Sequence, residues 1–543
     1  MSSHRALVSG FVSFALAASL MLPFTFLSRS SAAQTPAAAA AALPTAMLSV
    51  MHKPRYAHAF WNLLVTDLTT GKPVYALAPD RLAFTGSVRK LFSVGLALNA
   101  LGANYRFTTP VYRRGSLDVR GSLAGDLTLV AAGDLTLGGR REINGRIAFT
   151  NFDHNDANNL NTAILTPQDP LRGLDELARQ VRASGIRSVN DVVIDNRLFE
   201  KYRVPNGNLL ITPILVNENM VDVTATPTQA GKVAHLDWRP KTAAFAVRNA
   251  LTTAARGQPA DISLSHNGLM ICNWPAPCTG LVSGTIPIGY KAPLSASPAL
   301  VRTFRVESPA SFAQSRSSKH WTGRAFACAL RLRGTNAVRS LPPRGSYSPG
   351  TRVAALVSAP YSEYAKLILK VSLNLGANLS LSLFGLTKGQ RTIAGALAAE
   401  RKTLVGTMGI PPKAFDFPTN GSGSPDSRAA PRATVQMLLA MQRGRNGSAY
   451  RASLPILGVD GSLAATGRSL PAKGHVFAKT GTTIDQTGLK AQVLAGYIDA
   501  KSGRHLAFAL YVNDAGPLKN IADVAEVFDD EAQITNVIYE QVP

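Results

Sequence analysis

Strand-like segments at the two ends of the chain place the strongest constraint on its fold. Near the beginning, residues 61–68 are strand-like and residues 73–77 return after a Thr-Thr-Gly-Lys turn. Near the end, residues 476–483, 493–498 and 505–512 are strand-like, and helical patterns lie between the two groups. This order predicts a discontinuous α+β domain, in which an antiparallel sheet is flanked by helices and a large strand-rich insertion occupies the middle.

The division of the chain follows from the same patterns. Residues 1–33 have a short basic start, an apolar stretch and a small-residue end, which predicts a secretory signal peptide; an uncleaved membrane anchor is the alternative. We expect export across the inner membrane, to a periplasmic or wall-associated location. The predicted segments are a linker at 34–50, a catalytic domain made of 51–110 and 355–543, and two nested inserted domains within 111–354.

The net charge and the short motifs of the sequence limit which partners and cofactors are expected. The chain has 57 Lys+Arg against 33 Asp+Glu, a net charge of +24, and its basic residues are dispersed. Such a charge favours anionic partners, so a peripheral association with a membrane or an anionic wall polymer is expected. Zinc knuckles, RNP-like motifs and basic runs are absent from the sequence, which argues against nucleic acid. The sequence also has no HExxH, paired CxxC or G-x-S-x-G motif, and we expect no metal or organic cofactor.

The three cysteines fall into two groups. Cys272 and Cys278 are close together in a proline-containing loop, and a small disulfide loop is one interpretation if the compartment is oxidising. Cys328 lies in an apolar run, which is typical of a buried thiol.

Ser87 and Lys90 are three residues apart at the start of a predicted helix. The apolar residues that follow recur every three or four positions as one stripe, and the segment 85–87 can cap the helix start. Residues i and i+3 share a helix face, so the hydroxyl and the amine can approach each other. An amine that takes the serine proton, beside free backbone N–H groups, makes a nucleophile. A capped helix with a solvated lysine is the alternative.

Two further short motifs fit this chemistry. Lys479-Thr480-Gly481-Thr482 lies on the strand predicted at 476–483, where a lysine charge, hydroxyls and a closely approachable glycine backbone are aligned. Ser372 and Asn374 lie in or just before a predicted helix and offer a second hydroxyl and an amide. Ser424-Pro425-Asp426 is a weaker candidate for this second motif, because it lacks the amide.

The motifs S-x-x-K, S-x-N and K-T-G, in this order, resemble those of the penicillin-binding protein and serine β-lactamase superfamily. The long gap between the first two resembles the class C low-molecular-mass D-alanyl-D-alanine carboxypeptidase/endopeptidase family, the peptidase S13 type. Other similar stretches include Gly125-Asp126-Leu127-Thr128-Leu129 and Asn420-Gly421-Ser422-Gly423. The chain departs from the pattern in Ser-Leu-Asn, where the family has Ser-Asp-Asn.

The resemblance implies a transpeptidase-like fold and a role for each motif residue. Ser87 would be the nucleophile and Lys90 its base; Ser372 would relay the proton and Asn374 would orient Lys90 and hold a substrate amide. Lys479 with Thr480, Gly481 and Thr482 would bind the terminal carboxylate. The implied partners are peptidoglycan stem peptides, with β-lactam antibiotics as covalent inhibitors.

Two other functions remain open on the sequence. One is a β-lactamase or esterase of the same fold, which would need fast attack of water on the acyl-enzyme. The other is a non-catalytic protein that binds wall polymer. Asp195, Asn217 and Asn219 are interpreted as structural residues.

Overall fold

A five-stranded antiparallel sheet joins the two ends of the described chain in this computed structural model, which describes residues 40–320 and 336–543 apart from 243, 274 and 275. The first strand pairs with the last along its whole length, from Phe60 opposite Asn513 to Asp67 opposite Leu506. The predicted sheet of sequence-distant strands is therefore confirmed. Its order is β2-β1-β22-β21-β20, with β1 Phe60–Asp67, β2 Pro73–Leu77, β20 Val476–Asp485, β21 Gly488–Asp499 and β22 His505–Asn513.

Helix α1 (Thr45–Met51) contacts helix α10 (Ile521–Gln541) at the two ends of the described chain. Met47 and Val50 are buried in one apolar cluster with side chains of α10. The linker predicted for residues 34–50 is therefore wrong over 45–50, because these residues have an apolar face that packs; residues 34–39 lie outside the described part of the chain.

Helix α2 (Lys90–Leu101) is the central helix of a second, helical layer. It contacts α5 (Tyr361–Lys370), α6 (Asn374–Thr387) and α8 (Pro431–Arg443). Every residue from Lys90 to Leu98 is buried, so the predicted single apolar stripe is wrong: neighbours cover the helix on all sides. The remaining described helices are α3 Arg172–Ala183, α4 Pro309–His320, α7 Ile393–Gly406 and α9 Gly447–Ala452.

A four-stranded sheet of order β17-β4-β5-β8 begins the middle part of the chain. Its strands are β4 Arg106–Leu117, β5 Leu123–Val130, β8 Asp191–Asp195 and β17 Arg352–Pro360. The boundaries predicted at 110/111 and 354/355 fall inside β4 and β17, where Ala354 pairs with Val111 and Ala355 with Pro110. The two strands continue through both positions, so a division of the chain belongs outside this sheet.

Two three-stranded sheets follow within the middle part of the chain, β12-β11-β16 and β13-β15-β14. As predicted, this part consists of short strands, and no helix longer than a 3₁₀ turn occurs among the described residues of 200–308. The strands are β11 Met220–Thr226, β12 His235–Arg239, β13 Phe245–Ala254, β14 Asp261–Leu264, β15 Cys278–Pro287 and β16 Leu300–Arg305. Two-residue strands complete the fold: β3 Ala83–Phe84, β6 Glu142–Ile143, β7 Arg146–Ile147, β9 Tyr202–Arg203, β10 Leu210–Ile211, β18 Phe415–Asp416 and β19 Arg428–Ala429.

The cysteines and apolar segments complete the description. A disulfide joins Cys272 to Cys278 at the start of β15, which is the pairing considered from the sequence. Cys328, predicted as a buried thiol, lies outside the described residues. Of the helices that the structure describes, none combines the length and apolar character needed to cross a membrane.

Candidate active site

Ser87 and Lys90 lie at the start of the central helix. Ser87 belongs to a 3₁₀ turn, Gly86–Arg89, that leads directly into α2. The predicted side-chain cap is not formed, because the Thr85 hydroxyl donates to the carbonyls of Gly86 and Ser427 instead. Lys90 Nζ lies 2.5 Å from Ser87 Oγ, as the three-residue spacing predicts. The Lys90 side chain is buried and has no carboxylate partner among the described residues.

Ser372 links the two lysines of the site. It lies between α5 and α6 with a φ of 57°, in the left-handed region that side-chain-bearing residues rarely adopt. Its Oγ lies 3.2 Å from Lys90 Nζ and 2.9 Å from Lys479 Nζ. A single hydroxyl therefore bridges the amines of two motifs that are more than a hundred residues apart in sequence.

Asn374 is the first residue of α6, next to this bridge. Its side-chain Oδ1 is buried and has no hydrogen-bond partner, and the predicted contact between Asn374 and Lys90 is not made in the described structure. Buried amide oxygens are nearly always paired in native proteins, so this unpaired oxygen, two residues after Ser372, is a candidate acceptor for a ligand N–H group.

The strand β20 supplies the third motif. Lys479 is buried, and its Nζ donates to the Thr480 carbonyl at 2.7 Å as well as contacting Ser372. The Thr480 hydroxyl lies 2.8 Å from Ser462 Oγ, and the Thr482 hydroxyl donates to Gln492 Oε1 at 2.8 Å. The hydroxyls of both threonines are thus held in place by neighbours.

Two glycines allow the Ser87 turn to touch β20. A Cβ on Gly481 would lie 2.3 Å from the Thr85 carbonyl oxygen and 3.0 Å from the Ser87 nitrogen. A Cβ on Gly86, whose φ is 46°, would lie 2.5 Å from the Thr482 nitrogen. The close backbone approach predicted from Gly481 is therefore present, and it places the backbone N–H groups of Ser87 and Thr482 in the same part of the cleft.

Burial and like charge set the protonation of the two lysines. Burial, and then the neighbouring Lys479 charge, hold the pKa of Lys90 well below its ordinary value, while Asp156 opposes the shift. Burial also lowers the pKa of Lys479 to about 7, again against the attraction of Asp156. A neutral Lys90 beside a cationic Lys479 is the arrangement that a general base and an anion-binding lysine require.

A turn from the middle of the chain reaches this cleft and was not predicted. Asn155 Nδ2 donates to the carbonyl of Val371, the residue before Ser372, at 3.2 Å. Asn151 Oδ1 accepts from the Gly461 N–H at 2.9 Å, next to Ser462. Single asparagines in a loop have no distinguishing pattern, so nothing in the sequence singled them out.

A buried charge cluster supports this turn. Arg140 donates to Asp153 and Glu218, and His154 lies 2.8 Å from both Glu218 and Asp222. Burial lowers the pKa of His154, but Asp222 and Glu218 outweigh it and raise that pKa to about 10. Asp153, His154 and Glu218 are close enough to ligate a metal, yet the Arg140 guanidinium already occupies both carboxylates. We therefore interpret the cluster as structural rather than as a metal site.

Asp195, Asn217 and Asn219, interpreted from the sequence as structural residues, form hydrogen bonds with other protein groups. Asp195 accepts from Arg197 and Tyr347, Asn217 donates to the Met220 carbonyl, and Asn219 accepts from the Val216 N–H. Ser424, the weaker candidate for the second motif, contacts β20 rather than Lys90: its Oγ lies 2.7 Å from Thr483 Oγ1. The glycine-rich segment 420–423 before it is a loop that touches the Ser87 turn, since a Cβ on Gly423 would lie 2.0 Å from the Gly86 carbonyl oxygen.

Comparisons with known proteins agree with this geometry. The sequence model described as "D-Ala-D-Ala carboxypeptidase 3 (S13) family" matches residues 43–532. A D-alanyl-D-alanine carboxypeptidase from Actinomadura sp. is 27% identical in an alignment of length 530 that covers 92% of this chain and 86% of that protein. The crystal structure of penicillin binding protein 4 (dacB) from Haemophilus influenzae has the same fold, with a TM-score of 0.65 at 16% identity over 91% of this chain and 99% of that one. Its complex with a β-lactam gives a TM-score of 0.61 at 18% identity, over 91% and 99% of the two chains.

Proposed function

We propose a catalytic role for each cleft residue of this chain, which belongs to the D-Ala-D-Ala carboxypeptidase 3 (S13) family and is a serine-type D-Ala-D-Ala carboxypeptidase. The observation that carries the proposal is the contact of 2.5 Å between Ser87 Oγ and the buried Lys90 amine, which has no carboxylate partner among the residues that the structure describes. A cationic amine in that position would be costly, so the neutral form is favoured and can accept the serine proton.

Acylation begins at Ser87. Its Oγ forms a bond to the carbonyl carbon of the D-Ala-D-Ala peptide, and the hydroxyl proton passes to Lys90 Nζ. The tetrahedral oxyanion is held by the backbone N–H groups of Ser87 and Thr482, each such donor contributing ~10²–10³ in rate. The C–N bond then breaks, and the leaving amine of D-alanine takes a proton through the Ser372 hydroxyl, which lies within reach of Lys90 and Lys479.

Substrate binding uses the rest of the cleft. The terminal carboxylate pairs with the Lys479 ammonium and accepts hydrogen bonds from Thr480 and Thr482 on β20. The unpaired Oδ1 of Asn374 accepts an N–H group of the substrate backbone. Water then hydrolyses the ester, with Lys90 as the base, and returns Ser87 to its free form.

The biological setting of the proposal follows from the same cleft and from the charge of the chain. Crosslinked stem peptides present the same D-Ala carbonyl, so endopeptidase action at this site accompanies carboxypeptidase action. A β-lactam such as the one bound by the Haemophilus influenzae protein would acylate Ser87. The signal predicted at 1–33 supports a periplasmic or wall-associated location, and the net charge of +24 supports peripheral association with a membrane or an anionic wall polymer.

Digestion of a purified crosslinked muropeptide tests this proposal. The wild type should release D-alanine and cleave the crosslink, as shown by product masses, while Ser87→Ala should do neither. Ser424→Ala is the matched control, because this serine lies beside the cleft but does not contact Lys90. Equal product formation by Ser87→Ala and wild type would overturn the assignment of the nucleophile.

A further inference from the structure

A cavity of about 650 Å³ lies at the end of the sheet β13-β15-β14, and its lining residues are far in sequence from the catalytic motifs. Its walls come from the loop between β13 and β14, the segment after β15, and Arg302 of β16. The volume is in the range of small-ligand sites. Nothing in the catalytic mechanism uses it.

Arg302 is an unusual buried cation. It is 8% exposed, and it donates to the carbonyls of Ala157 and Val301 and to Asn161 Oδ1, which are all neutral groups. None of the described carboxylates forms an ion pair with it, and burial lowers its pKa. The remaining N–H groups of its guanidinium have no acceptor among the described residues.

Other buried arginines in this chain show what such a charge normally requires. Arg89 is fully buried and pairs with Glu400 through both of its terminal nitrogens. Arg140 is equally enclosed and pairs with Asp153 and Glu218. A buried charge that lacks its counterion is costly, and an anionic ligand would remove that cost at Arg302.

Further groups in the same cavity favour an anion. Arg256 and Lys291 line it, both are exposed, and neither forms an ion pair with a described residue. Tyr290 also lines the cavity and is 9% exposed. One acid, Asp261, lines the same cavity and would oppose an anion, so cations outnumber the single carboxylate three to one.

We infer that this cavity, hereafter the Arg302 cavity, binds a phosphate group, held by Arg302, Arg256 and Lys291. Guanidinium forks match the paired oxygens of phosphate, and an ammonium adds a point charge. The inference deepens the proposed association with anionic polymer, whose phosphodiester groups present this chemistry. It does not depend on the peptidase assignment, because phosphate binding requires no step at Ser87.

Calorimetric titration of the full chain with inorganic phosphate, at constant ionic strength set with sodium chloride, tests the site. We expect one saturable site, weakened at least about tenfold in Arg256→Gln/Lys291→Gln because charged hydrogen bonds are lost. Lys232→Gln/Arg248→Gln removes the same charge from exposed positions outside the cavity, and should leave affinity within about twofold. Asp261→Asn should tighten binding, because it removes the opposing carboxylate.

Several results would overturn the inference: no saturable phosphate binding, equal weakening by both double variants, or weaker binding in Asp261→Asn. Unchanged muropeptide cleavage by the Arg256→Gln/Lys291→Gln variant serves as its folding control. A glycerol phosphate oligomer then distinguishes the source of the phosphate. If the oligomer binds more tightly per phosphate group than inorganic phosphate does, the cavity is a subsite for a polymer. If the two bind equally per phosphate group, the cavity is a site for free phosphate.

Discussion

Lys370 Nζ lies 2.6 Å from Asp460 Oδ1, and this ion pair joins the last residue of α5, two positions before Ser372, to the residue before the 3₁₀ turn Gly461–Leu463, which contains Ser462. The Lys370 side chain is almost fully enclosed, whereas Asp460 is 29% exposed. Since Ser372 contacts both catalytic lysines and Ser462 contacts Thr480, the ion pair connects two walls of the cleft through their backbones.

Breaking this ion pair should lower both stability and acylation. Asp460→Ala leaves a buried ammonium without its partner, which costs about 1–3 kcal/mol of unfolding free energy. We expect a lower urea midpoint and slower acylation by a labelled penicillin. Lys366→Met is the control, since Lys366 lies on the same helix and forms no ion pair with a described residue. In a double-mutant cycle of Lys370→Met and Asp460→Ala, additive changes in the free energy of unfolding would contradict an interaction between the two side chains.

The rate of acylation should depend on pH through the two lysines. At low pH, Lys90 is protonated and cannot accept the Ser87 proton, so kcat/KM should rise as pH increases through its lowered pKa. Above about pH 7, Lys479 loses its proton and its attraction for the substrate carboxylate, so kcat/KM should fall. Because Lys90 and Lys479 both contact Ser372, their titrations are coupled. The apparent pKa values of the rising and falling limbs of the profile therefore describe the pair of lysines rather than either lysine alone.

Lys479→Arg separates the two limbs of this profile. A guanidinium does not titrate in this range, so the alkaline limb should disappear even if the maximum rate is lower. Kinetics on a D-Ala-D-Ala peptide between pH 5 and 9 measure it. An alkaline limb that persists unchanged in Lys479→Arg would show that another group causes it.

The contact between the Ser87 turn and β20 should be intolerant of added volume. Gly481→Ala places a methyl group 2.3 Å from the Thr85 carbonyl oxygen, so the turn and the strand must separate. A displacement of about 1 Å costs ~10²-fold in rate for positioned groups, and we expect at least that loss in penicillin acylation. Gly406→Ala, where no atom lies near the new methyl group, should acylate normally. Normal acylation by Gly481→Ala would contradict the geometry.

Asn155 should position Ser372 from outside the helical layer. Asn155→Ala removes the hydrogen bonds from Nδ2 to the Val371 carbonyl and to Asp156 Oδ1, each worth about 1 kcal/mol, and should slow acylation by about fivefold as well as lower the urea midpoint. Asn190→Ala, an exposed amide in the same part of the chain, is the control. A drop in midpoint without slower acylation would indicate a purely structural role.

The sequence predicted the part of the site that depends on local chemistry. Ser87 and Lys90 approach each other as their three-residue spacing predicts, Lys479 joins them through Ser372 as the resemblance of the three motifs implies, and the terminal strands pair as expected. It did not predict that α2 is buried on all sides, because a local stripe says nothing about how many neighbours pack on a helix.

Other errors have equally physical causes. The boundaries at 110/111 and 354/355 lie inside paired strands, and Pro110, which could mark the end of an element, instead lies within β4 opposite Ala355. Helix α7 was not predicted, as its alanine-rich sequence has a weak apolar periodicity. Asn155 and Asn151 reach the cleft only through tertiary structure, held by the buried Arg140 cluster.

The most direct test of the central claim is peptide mass mapping of the protein after reaction with benzylpenicillin. We expect a single covalent adduct on the peptide that contains Ser87, present in the wild type and absent from Ser87→Ala. Lys90→Met, which keeps the serine but removes its base, should form this adduct at least ~10²-fold more slowly. An adduct on any other residue, or one that survives in Ser87→Ala, would show that Ser87 is not the nucleophile.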